Sequence, residues 1–187
     1  MCSASSGCGA NATCVAGRCL SHGASAAIAT ATRTVYEPVD AAYVRPGGDV
    51  ATDGVATLGR GDGALALFRF AVPLAPDASV VEAYLLMDRA PDVDADPTPV
   101  VLHAARVVGP WDSRSTSWAS LPSLQEVGGS ETRVAGGTST VRLEVRAIVE
   151  RWRKRAKDEM GVAVVAEGRS ATGVAFALPA RLELYVK

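Results

Sequence analysis

After Cys19 the chain contains no cysteine, it has a single asparagine (Asn11), and only two histidines occur in its 187 residues. Each shortage excludes something. With all four cysteines in the first tenth of the chain, the remainder must be held together by burial and hydrogen bonding alone. No apolar run approaches the ~20 residues of a membrane-spanning helix, so no membrane span is expected. A formal net charge of −1 gives no global reason to expect nucleic acid or an anionic membrane as partner. Lysine is confined to Lys154, Lys157 and Lys187, while Arg, Ala, Val and Gly abound, a usage typical of a GC-rich bacterial coding sequence. Motifs of catalysis are missing as well. There is no G-x-S-x-G elbow, no H-E-x-x-H pair and no phosphate loop, and the histidines are His22 and His103, so the chain is read as a non-enzyme that needs no cofactor.

What is present divides in two. The spacing C-x5-C-x5-C-x4-C, with glycines between, marks residues 1–20 as a module too small for a hydrophobic core and held by cross-links. Four cysteines allow three pairings; Cys2 with Cys14 and Cys8 with Cys19 is the expected one, closing two overlapping loops. Zinc held with His22 would want a C-x2-C knuckle that is absent, and lipidation of Cys2 would leave an odd number of thiols. The run resembles the short four-cysteine modules near the start of secreted bacterial proteins, which implies that all four cysteines are paired. An oxidising compartment follows, extracellular or at the outer cell surface, and the chain reads as a mature exported protein whose leader has been removed. Residues 21–29 are small and uncharged, a linker. A 48% hydrophobic chain of this length leaves residues 30–187 as one domain with a proper core.

Period-two alternation dominates that domain. Strands are expected around Thr30–Thr34, over Asp40–Val44 and Val55–Gly59, in the pair Ala64–Met87, and over Pro99–Val108, Thr140–Val145, Gly161–Glu167, Gly173–Leu178 and Arg181–Val186. Within Ala64–Met87, Phe68 and Phe70 share one face, and a turn with Pro73, Pro76 and Asp77 leads into a strand placing Val81, Ala83, Leu85 and Met87 inward. That pair is read as a hairpin. Leu121–Gly137 reads as a long loose connection. Only after Val145 does the period change, where Ile148, Val149 and Trp152 form one helical face and predict a helix over Arg146–Lys157. The sum is an all-β antiparallel sandwich of jelly-roll or Greek-key type with one short α-helix.

Several features carry candidate chemistry. Trp111 and Trp118 stand eight residues apart inclusive, amid Asp and Ser. Aromatics beside polar groups stack sugar rings when exposed and plug the end of a sandwich when buried; strand-like flanks favour the plug for Trp118 and leave Trp111 open to either role. From Arg142 to Lys157 there are seven basic and two acidic residues, so Arg151, Arg153, Lys154, Arg155 and Lys157 either solubilise an exposed helix or bind an anion such as a uronate sugar. Asp92, Asp94 and Asp96 are weak calcium candidates, since the Gly and distal Glu of a calcium loop are missing. Arg60-Gly61-Asp62 sits in a glycine-rich turn where chance explains it, and His103 is read as a packed strand residue.

The series Phe-Arg-Phe, Asp-Ala-Ser-Val-Val-Glu-Ala-Tyr-Leu-Leu-Met, Val-Val-Leu-His-Ala-Ala-Arg-Val-Val-Gly-Pro-Trp-Asp-Ser-Arg-Ser-Thr-Ser-Trp and Val-Arg-Leu-Glu-Val-Arg-Ala-Ile-Val-Glu-Arg-Trp resembles the DNRLRE domain. That domain is a bacterial extracellular jelly roll related to carbohydrate-binding modules that include alginate binders. The resemblance runs from about Thr34 to Lys187 and implies the same fold, with the helix around Ile148–Trp152 packed by its apolar side. It also implies a non-catalytic module that binds polysaccharide or mediates adhesion. The alternative expectation is a structural subunit of a surface layer or appendage, whose partners are other copies of itself, joined by strand addition or by the acidic Asp92–Asp96 loop meeting the basic helix.

Overall fold

β-branched, aromatic and leucine residues at period two give the strands of a computed structural model that describes residues 8, 12–15, 18–21, 28, 30–48, 50–90, 98–134, 140–158, 160–168 and 170–187. In the cysteine-rich part, β1 (Ala12–Val15) and β2 (Arg18–Ser21) pair antiparallel. The expected Cys8–Cys19 disulfide is present with a Cα–Cα distance of 5.4 Å. Cys2, and with it the expected Cys2–Cys14 bond, lies outside the described residues, as does the Asp92, Asp94, Asp96 loop.

The remaining strands are β3 (Thr32–Tyr36), β4 (Asp40–Val44), β5 (Gly54–Leu58), β6 (Leu65–Arg69), β7 (Val80–Asp88), β8 (Val100–Val108), β9 (Ser123–Val134), β10 (Thr140–Glu144), β11 (Val162–Glu167), β12 (Val174–Leu178) and β13 (Arg181–Val186). Every named pairing is antiparallel. One sheet has the order β10-β7-β13-β3, a second β4-β6-β11-β8-β9, and β12 pairs with β5. A single apolar cluster draws on both larger sheets: Phe68, Leu102, Val162 and Val164 from one, Ala83, Leu85, Met87, Val141, Leu143, Leu182 and Leu184 from the other. Their outer faces carry smaller clusters. Ala42, Val44, Leu65, Leu67, Val107 and Ala163 gather around Trp111 outside the five-stranded sheet, and Ile28 packs with Tyr84, Leu86 and Tyr185 outside the four-stranded one.

Three expectations need correction. The strands within Ala64–Met87 are both present but do not pair: β6 lies between β4 and β11, β7 between β10 and β13. Residues 70–79, with Pro73 and Pro76, are too long and too proline-rich for a tight hairpin turn, so the chain crosses from one sheet to the other. Because β6 is covered on both faces, it reads as a continuous buried run rather than an alternating one. In β7 it is Val80, not Val81, that joins the central cluster, because Val80 pairs with Val186 and Glu82 with Tyr185, leaving Val81 as the extra residue of a bulge. The stretch expected as a loose connection contains β9, the longest strand described. Its pairing with β8 runs Glu126 to Ala105 and then Glu131 to His103, so a register shift absorbs the Gly128–Gly129 interruption.

The helix α1 (Arg146–Lys154) begins where predicted and is followed by a short 3-10 turn, Ala156–Asp158. Ile148, Val149 and Trp152 are buried as the pattern requires, and α1 packs against β7. Arg151, Arg153 and Lys154 lie in its last turn, where positive charge opposes the negative end of the helix dipole.

Candidate functional site

The sequence singled out Trp111 and the helix cations, and the fold places them apart. Trp111 is 8% exposed; its indole N–H donates to the Met160 carbonyl at 2.6 Å, and the Arg69 guanidinium lies 5.9 Å from its ring centre. It closes the cluster outside the five-stranded sheet, with its polar handle satisfied by backbone. Arg151, Lys154, Arg155 and Lys157 are exposed on and just past α1. Arg153 is half-buried, donating to the Pro76 carbonyl at 2.9 Å and pairing with Glu150 at 2.9 Å, so it ties the helix to the connection between β6 and β7. His103 lies with Nε2 3.4 Å from Glu167 and Nδ1 4.0 Å from Glu131. Among the described residues no group of three or more His, Cys, Asp and Glu side chains is placed to hold a metal ion.

A different cluster is the best-built polar site. Alternation on β3, β7, β10 and β13 sends every second side chain to the outer face of the four-stranded sheet, and the registers stack them in rows. Leu86 lies opposite Arg142 on one side and Arg181 on the other; Tyr84 lies opposite Glu144 and Glu183; Tyr185 lies opposite Glu82 and Arg33. Glu183 is 1% exposed and accepts from Arg33 Nε at 2.6 Å and from Arg142 Nη2. Arg142 also stands 5.0 Å from the Tyr84 ring centre, a cation–π distance. Asp88 accepts from Arg181 at 2.6 Å and from the Thr140 hydroxyl at 2.8 Å. Arg33, Arg142, Arg181, Glu183, Tyr185, Leu86 and Thr140 line a shallow groove of about 460 Å³. Its three arginines come from three strands distant in sequence, so no local motif announces them. The one signal was phase: Arg142 alternates with Val141 and Leu143, and Glu183 with Leu182 and Leu184.

The second tryptophan has a role opposite to the one its flanks suggest. Trp118 opens a 3-10 turn (Trp118–Ser120), not a strand, and is 40% exposed. The preceding turn is fixed by Asp112, whose carboxylate accepts from the backbone N–H of Arg114 and Ser115 and from the Ser115 hydroxyl. Chiefly the Ser115 hydroxyl, then those backbone donors and the nearby Arg114 charge, hold the Asp112 pKa below its ordinary value of 3.8. A carboxylate with a depressed folded pKa stabilises its surroundings above the unfolded value and loses that contribution as pH falls through the folded one. Acid titration followed by tryptophan emission is therefore expected to show a local transition at Trp118 below pH 3.8, absent in Asp112→Asn.

No helix among the described residues is long and apolar enough to cross a membrane. Comparison with known proteins finds no family model and no curated relative that matches this chain.

Proposed function

We propose that this chain is a non-catalytic extracellular or cell-surface module of jelly-roll type that binds an anionic polysaccharide. The observation that carries the reading is the outer-face groove, where Arg33, Arg142 and Arg181 surround Leu86 and Tyr185. Guanidinium groups match carboxylates in planar, bidentate geometry, and Arg181, paired with Asp88, keeps 38% of its side chain exposed. Arg33 remains 58% exposed although its Nε is engaged by Glu183. The exposed cations of α1 add longer-range attraction that salt would screen. The Cys8–Cys19 disulfide supports an oxidising compartment.

Affinity electrophoresis through alginate, pectate and neutral glycans tests the reading. Retardation by the polyuronates is expected, weakening as salt is raised and falling by about tenfold in affinity when Arg33 and Arg181 are both replaced by alanine. Equal retardation of the wild type and that double variant would remove the groove from the account. A variant with Arg151, Arg153, Lys154, Arg155 and Lys157 all changed to alanine measures the helix contribution separately.

A second reading, a structural subunit assembling through strand addition, has one observation in its favour. β3 ends the four-stranded sheet and is exposed along most of its length, beside a groove of about 550 Å³ between Thr32, Thr34 and Tyr36 and the Pro73–Ala75 segment. Sedimentation of the oxidised protein at high concentration decides it, a strict monomer being the outcome that rejects assembly.

A further inference from the structure

The chain buries two of its three tryptophans, Trp111 at 8% and Trp152 at 3% exposure, and leaves Trp118 at 40%. A large apolar ring left in water by a fold able to bury its neighbours is the informative kind of exposure. Trp118 is also held in place. Its benzo edge abuts Gly63, where an added Cβ would come within 3.1 Å of Cη2. The backbone that carries it is pinned by serines: the Ser117 N–H donates to Ser120 Oγ at 2.9 Å, the Ser117 and Ser120 hydroxyls are 2.8 Å apart, and Ser120 Oγ donates to the Ser115 carbonyl at 3.3 Å. The Asp112 turn braces the segment from the other side. Ordering the ring in advance lowers the entropy a ligand must overcome.

We propose that Trp118, braced by Gly63 and carried on the serine-pinned turn, is a stacking subsite for a neutral β-linked pyranose. β-Linked rings with equatorial hydroxyls present a flat C–H face to an indole while their own hydroxyls stay at the ring edge in water. The subsite is separate from the arginine groove in residues and in chemistry. It recognises ring shape without charge, so its ligand binding is insensitive to salt.

Iodide quenching of tryptophan emission reads this site selectively, because Trp111 and Trp152 are shielded. Cellohexaose, mannohexaose and xylohexaose are the probes. At least one is expected to protect Trp118 from iodide in a saturable way, with calorimetric affinity about tenfold weaker in Trp118→Ala and partly retained in Trp118→Phe. Protection should be unchanged in the variant with Arg33 and Arg181 replaced by alanine, which separates this subsite from the polyuronate groove. Unaltered quenching with all three hexasaccharides overturns the proposal, and so does wild-type affinity in Trp118→Ala.

Discussion

Glu183→Ala lowers the stability of the fold by about 3–5 kcal/mol, the usual cost of removing one partner from a buried ion pair. Glu183 sits on β13 between β7 and β3, opposite Tyr84 and Val35, and is nearly inaccessible to water. Its two guanidinium partners are not equivalent. Arg33 is 58% exposed and can be rehydrated when the carboxylate goes, so Arg33→Ala alone is expected to cost under about 1 kcal/mol. Arg142 is mostly covered, stacks on Tyr84, and would lose the carboxylate that offsets its desolvation. The cost of Glu183→Ala therefore falls mainly on Arg142. Glu183→Gln keeps the shape and an acceptor oxygen and should recover part of the loss. Urea unfolding checks this: the midpoint shifts with an unchanged slope if only the native cluster is affected. A Glu183→Ala effect as small as that of Arg33→Ala would show that the cluster is a solvated surface network. Because Glu183 also orients two of the three groove arginines, its loss should weaken polyuronate binding in molecules that remain folded.

Much of this architecture was legible in the sequence where one residue pattern answered to one environment. β10 alternates cleanly, β4 and β13 occupy the residues expected of them, and the period change after Val145 located α1 within a few residues of its end. Legibility failed where tertiary partners decide. Nothing local distinguishes a hairpin from a crossover when both strands are apolar; the partners of β6 are β4 and β11, and only the length of the proline-containing connection hinted at separation. Glycines made 121–137 look irregular, yet the neighbouring β8 supplies enough hydrogen-bond partners to carry β9 across the interruption. For the candidate sites, burial was the missing variable. Trp111 and Trp118 look alike in sequence, and their exposures differ because Met160 offers Trp111 a carbonyl while the serine-pinned turn holds Trp118 outward. The arginine groove needed three strand registers before it existed as a place.

Gly161→Ala is expected to be the more damaging of two glycine substitutions that look equivalent in sequence. Gly161 has φ +114, a region an L side chain rarely adopts, and a Cβ there would stand 2.4 Å from the Phe68 carbonyl oxygen, a backbone atom of a central strand. Strain of about 1–3 kcal/mol and overpacking of a similar size then act together, for about 2–6 kcal/mol in all. The damage should extend to Trp111, since Gly161 follows the Met160 carbonyl that accepts the indole N–H, and its own carbonyl accepts from the Val107 N–H at 3.2 Å. Gly47 supplies the control. Its φ is +63 with nothing within 4 Å of an added Cβ, so Gly47→Ala bears the conformational cost alone, about 1 kcal/mol. Thermal or urea unfolding of both variants separates strain from collision. Similar losses in the two would mean that β6 can shift to admit a methyl group beside Phe68. A much larger loss in Gly161→Ala, with a red-shifted tryptophan emission as Trp111 is exposed, fits a five-stranded sheet whose inner strand cannot yield and whose outer cluster depends on that closeness.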